Sequence, residues 1–96
     1  MGMTEQKLQT EVTKWLRHKG CYVIKLNATA GVPVGAPDVL ALKDGFWVAL
    51  EIKASKTAHK QPLQQETIDK LDEWSYAKFV WPDNWPLIQS ELERML

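Results

Sequence analysis

The dipeptide Asp44-Gly45, set between Asp38–Lys43 and Phe46–Lys53, constrains this chain more than any other feature. Asp-Gly between two apolar-rich runs is a strong signal for a two-residue hairpin turn, because both turn positions need positive φ. A turn confined to those two residues sets Lys43 against Phe46 and, counting outward, Asp38 against Glu51. Their Cβ atoms then lie about 4.5–5.5 Å apart on neighbouring strands, and alternation puts Lys53 on the face of Glu51. Directly opposed like charges are destabilising, so the pair calls for a counter-charge, which a divalent cation would supply.

The same alternation sorts the rest of the hairpin. Val39, Ala41, Phe46, Val48, Leu50 and Ile52 share one face; Asp38, Leu40, Leu42, Trp47, Ala49, Glu51 and Lys53 share the other. Away from the charges both faces are apolar, which predicts a sheet covered on both sides.

The flanking segments supply the cover. Thr4 is suited to cap a helix running to about Lys19, with Gly20 as its stop. Leu8, Val12, Trp15 and Leu16 form its apolar stripe. Glu5 extends that stripe by one turn while Glu11 sits on its flank, so Glu5 either points toward a site or serves as a favourable charge in the first helical turn. Cys21–Leu26 reads as a strand ending near Lys25, and the small residues, glycines and prolines of Asn27–Pro37 as a loop in which Gly31 and Gly35 would let backbone approach a ligand. A second helix starts at Gln61 with Pro62 at its first position and runs to Glu73 or Trp74; Gln64, Ile68 and Leu71 share one face. Gln64 thus heads an apolar stripe as Glu5 does, unless it faces water. Lys78–Trp81 reads as a strand, and Asn84 or Trp85 opens a last helix with Ile88, Leu92 and Met95 inward.

Ninety-six residues suffice for one domain. Net charge is zero but uneven: residues 1–60 hold nine basic against five acidic side chains, and residues 61–96 three against seven. The basic half offers Lys25, Lys56, His59 and Lys60 as contacts for nucleic acid, or merely a solvated surface. Cys21 is the only cysteine and no apolar run spans a membrane, so a reducing, cytoplasmic setting is expected. His18 and His59 are isolated, which leaves no zinc pattern.

Asp38 and Glu51 suit Mg²⁺ or Mn²⁺, with the backbone carbonyl of Ile52 as a further oxygen donor. Lys53 could orient a nucleophilic water or stabilise developing negative charge, Glu5 could hold a second metal or its water, and Gln64 could position water or phosphate. The competing reading is an Asp that opens a strand after Pro37 and a Glu51–Lys53 pair on a solvated sheet end.

Gly35-Ala-Pro-Asp38 followed by Glu51-Ile-Lys53 resembles the PD-(D/E)xK nuclease superfamily. With Glu5-x-x-Leu8-Gln9 and Pro62-Leu63-Gln64, the chain is similar over about residues 4–81 to a stand-alone, phage-like VRR-NUC (virus-type replication-repair nuclease) domain. Ala36 departs from the more usual Val before Pro-Asp. The resemblance implies an α/β, restriction-endonuclease-like α-β-β-β-α-β core with a mixed central sheet, followed by a C-terminal extension over 82–96. It implies Asp38 and Glu51 as metal ligands, Lys53 as catalytic lysine, Glu5 as the helix acid and Gln64 as the motif glutamine. The expected activity is a Mg²⁺- or Mn²⁺-dependent DNA endonuclease acting on branched or distorted duplex, like a Holliday-junction resolvase, as a homodimer in the cytoplasm of a bacterium or phage-infected host. The alternative is a non-catalytic DNA-binding adaptor that keeps the nuclease fold.

Overall fold

A computed structural model describes residues 3–26 and 30–96. Of the glycine-rich loop, residues 27–29 lie outside the described residues. The order is α1 (Glu5–His18), β1 (Tyr22–Lys25), β2 (Val39–Lys43), β3 (Phe46–Ile52), α2 (Pro62–Trp74), β4 (Tyr76–Val80) and α3 (Trp85–Glu93). The four strands form one sheet in chain order, antiparallel from β1 to β3, with β4 parallel to β3. This is the expected α/β architecture, a mixed sheet between helices with a C-terminal helix.

Asp44 (φ 50°) and Gly45 (φ 80°) both take positive φ, and the register follows: Lys43 faces Phe46, and Val39 faces Leu50. The two faces divide as alternation requires. Val39, Ala41, Val48, Leu50 and Ile52 pack with Leu8, Val12 and Leu16 of α1 and with Trp85, Ile88 and Leu92 of α3. On the opposite face Ala49, Ala77 and Phe79 pack on Ile68 of α2, flanked by Leu40, Trp47, Leu71 and Trp81. The Thr4 hydroxyl accepts from the Lys7 N–H and caps α1, and Gly20 (φ +92°) ends it. Cys21 is buried, which pushes its thiol pKa up although Lys43 opposes the shift, as suits a packing residue.

Three expectations change. The fourth strand begins at Tyr76, two residues before Lys78. Asp72 accepts from the Ala77 N–H and from Lys78, both at 3.0 Å, and the Ser75 hydroxyl donates to the Trp47 carbonyl. The chain therefore passes from α2 into β4 across a single residue. The segment beyond Pro82 is also no appendage, since Trp85, Ile88 and Leu92 belong to the main core and Trp85 meets Trp15 edge-on at 5.4 Å. Met95 is exposed; it follows the helix, and Leu96 packs inward in its place.

Candidate active site

The site lies where β2 ends and β3 continues. The β2–β3 ladder stops at Val39–Leu50, one step short of Asp38–Glu51. Beyond it the Asp38 carbonyl accepts from the Leu26 N–H at 2.8 Å, on the β1 side. Its carboxylate crosses to β3 instead, where Oδ2 accepts from the Ile52 N–H at 2.8 Å. The side chain thus takes the place of the next backbone bond, and a cleft of about 390 Å³ opens between the fork and the loop over residues 32–36.

Glu51 projects into this cleft from the α2 face of β3 and is only 4% exposed. Gln64, in the first turn of α2, donates from Nε2 to Glu51 Oε2 at 3.0 Å. The amide has no freedom to turn over, because its Oε1 accepts from both Lys53 Nζ (3.0 Å) and the Gln61 N–H (3.2 Å). Lys53, 9% exposed, also donates to the His59 carbonyl at 3.0 Å and stands 3.9 Å from Glu51 Oε2. One acid, one amide and one ammonium are therefore locked together. Gln64 faces the site, not water, and the Glu51–Lys53 pair is no solvated sheet end.

The electrostatics are strained. Burial, followed by the charge of Asp38, pushes the Glu51 carboxyl up to about 8, against the pull of Lys53; Glu5 adds to the rise. Burial raises Asp38 as well, outweighing the Ile52 N–H and Lys53. Among the described residues no donor meets the buried Glu51 Oε1, and a hydrogen bond between the Asp38 and Glu51 carboxyls raises Glu51 further while lowering Asp38. An orphaned carboxylate oxygen beside a second carboxylate is a donor set that fits a hard divalent cation. Glu5, at the exposed start of α1, is felt by Glu51 as charge, yet among the described residues no three of His, Cys, Asp and Glu gather as ligands.

The remaining candidates sit around this centre. Lys25 is exposed at the end of β1, and Lys56 and His59 are exposed between β3 and α2. Lys60 Nζ lies over the rings of Phe79 (4.8 Å) and Trp81 (5.8 Å). Sequence reasoning missed Gln61 and the apolar wall of Leu26, Val32, Pro33 and Val34, all of which line the cleft. Only the run of small residues hinted at that wall.

Gly35 makes its close approach to the protein itself. At φ +87°, a Cβ there would stand 2.9 Å from both the carbonyl carbon and oxygen of Leu63, whereas one at Gly31 would meet nothing within 4 Å. Gly35→Ala is therefore expected to push the loop off α2 and cost about 1–3 kcal/mol, a drop in melting temperature that calorimetry would read. A variant of unchanged stability would show that the loop does not depend on this seat.

A family model described as archaeal Holliday junction resolvase (Hjc) matches residues 5–88, a span that reaches into α3. Comparison with curated proteins gives no match. The mixed four-stranded sheet between helices agrees with a nuclease of the PD-(D/E)xK type. With the match covering most of its length, the chain belongs to the archaeal Holliday junction resolvase family.

Proposed function

We propose that this resolvase-like nuclease is a single-domain, Mg²⁺- or Mn²⁺-dependent endonuclease that cuts branched DNA at the Asp38–Glu51 fork. The observation that carries the reading is the buried Glu51 Oε1, which stands beside Asp38 and meets no donor among the described residues. Asp38, Glu51 and the Ile52 carbonyl would hold the cation, which supplies electrophilic activation of the phosphate and a water of lowered pKa. Lys53 keeps a positive charge beside Glu51 and is suited to steady the negative charge that develops on the phosphate. Gln64 acts as a positioning residue, fixing Glu51 and Lys53 through its two ends. Glu5 adds negative charge from α1. The water oxygen bonds to phosphorus as the P–O3′ bond breaks, leaving a 5′-phosphate and, once the departing oxygen takes a proton, a 3′-hydroxyl. Lys25, Lys56, His59 and Lys60 are the proposed backbone contacts. The finer kinship to VRR-NUC nucleases rests on Glu5, Asp38, Glu51, Lys53 and Gln64 standing in that family's order.

Resolving a junction requires two cuts, and the fork provides one site, so the working unit is a homodimer. Support comes from the half of the sheet that α2 leaves bare: Tyr22, Ile24, Leu42 and Trp74 are exposed there as an uncharged surface. Among the described residues no helix is long and apolar enough to cross a membrane. The test is incubation with four-way-junction, flap and linear duplex DNA in Mg²⁺, Mn²⁺ or EDTA, with sedimentation of the complex. Metal-dependent cutting of the junction by two chains per junction is expected. Binding without cutting in any metal would favour the adaptor instead.

A further inference from the structure

We propose that Val34 and Leu63 form an apolar wedge that packs against an unstacked nucleotide beside the scissile phosphate, and that this wedge makes the cleft select branch points. The inference rests on the nuclease reading above and adds its means of substrate selection.

The cleft has two unlike walls. Asp38, Glu51, Gln61 and Gln64 form the polar one, and the loop over residues 32–36 forms the other with aliphatic side chains and bare backbone. Among the described residues that line it, none is Lys, Arg or His. A wall without cations is a poor seat for phosphate and a good one for the face of a base or the apolar side of a sugar. At about 390 Å³ the space falls in the range of about 300–1,000 Å³ that takes one small molecule, so it admits a nucleotide and not a duplex.

Two large aliphatic side chains stand in water here, Val34 on this wall and Leu63 at its edge, against Gly35. Val34 is 73% exposed and Leu63 47% exposed, although they come from different segments. Gly35 joins the two segments, because its missing Cβ lets the loop backbone next to Val34 sit against that of Leu63. Pro33 and Pro62 stiffen the chain just before each of them. Exposed, rigidly mounted aliphatic groups next to a phosphate-cutting site suit the wedge chemistry by which proteins separate stacked bases. Separating a stacked step costs a few kcal/mol, and least where pairing is already broken, so a wedge at this position favours branches over continuous duplex.

The test places 2-aminopurine on either side of the phosphate that the protein cuts in a four-way junction and measures its fluorescence on binding in Ca²⁺. Wild type is expected to raise the fluorescence several-fold. Val34→Ser and Leu63→Ser alter exposed positions and should keep the wild-type melting temperature, yet lose most of the rise. Their cutting of a matched junction should fall about 10-fold or more, in line with the worth of one stacked base. A junction mismatched at the flanking pair, already unstacked, should recover most of that loss. Junction binding with a silent 2-aminopurine signal, or equal losses on matched and mismatched junctions, would overturn the wedge alone. A wild-type protein that binds no junction would overturn the functional reading and the wedge with it.

Discussion

At pH 8, Glu51→Gln is expected to melt above the wild-type protein in EDTA and, in Mg²⁺, to cut junctions at least about 100-fold more slowly. The gain in stability follows from the burial that makes the site useful. Glu51 is 4% exposed, stands beside Asp38 and has one oxygen that no donor meets among the described residues. Its carboxyl is raised from the ordinary 4.5 to about 8, so between those values the folded protein holds a proton that the unfolded chain has released. Stability therefore falls as pH rises through that window and is lowest above it. A neutral amide of the same shape removes the penalty and still accepts from Gln64. The expected gain is about 1–3 kcal/mol, where each kcal/mol moves the midpoint of a domain this small by about 4–8 °C. Near pH 4.5 the two proteins should converge, because Glu51 is then largely protonated in the native state. Adding Mg²⁺ at pH 8 should reverse the ranking, raising the wild-type midpoint and leaving that of Glu51→Gln where it was. Thermal melts across pH, with and without metal, read all of this. A wild-type midpoint indifferent to Mg²⁺ would remove the cation from the fork.

Much of this centre was legible because one turn fixes so much. Positive φ at Asp44 and Gly45 sets the register, the register sets Asp38 toward Glu51, and alternation places Lys53 beside Glu51 and the aliphatic residues on the opposite face. Gln64 was legible for a different reason. A polar residue at the head of an apolar stripe is carried to wherever that stripe packs, and α2 packs on the face that bears Glu51. What periodicity could not carry was contact between side chains and distant backbone. The Asp38 carboxylate on the Ile52 N–H, Lys53 on the His59 carbonyl and Gly35 against Leu63 each join segments whose spacing holds no repeat. The early start of β4 was hidden in the same way, since Asp72 and Ser75 act through backbone partners on β3 and β4. Lys60 read as a free surface charge only because its aromatic partners, Phe79 and Trp81, lie in a segment far along the chain.

Lys53→Met should move stability in the opposite direction from Glu51→Gln while silencing the enzyme just as fully. Among the described residues the Lys53 ammonium is the nearest positive charge to Glu51 Oε2, at 3.9 Å, and it also satisfies the His59 carbonyl and Gln64 Oε1. Met fills a similar volume but offers no donor and no charge. In EDTA, at a pH high enough to ionise Glu51, the buried carboxylate then has no counter-charge and Gln64 loses what holds its Oε1. Removing one partner of a buried pair costs about 3–5 kcal/mol. Lowering the pH protonates Glu51 and should shrink the loss, which a merely cavity-forming substitution would not do. Lys53→Arg should not restore activity, because a planar guanidinium cannot keep three partners arranged around one compact ammonium. The sharpest measurement is the double variant. If Glu51 and Lys53 act as a unit, Glu51→Gln in the Lys53→Met background recovers most of the lost stability, since no buried charge remains to be paired, and activity stays as low as in either single variant. Additive stabilities would show that the ammonium serves His59 and Gln64 alone, and near-wild-type cutting by Lys53→Met would take the lysine out of the chemistry.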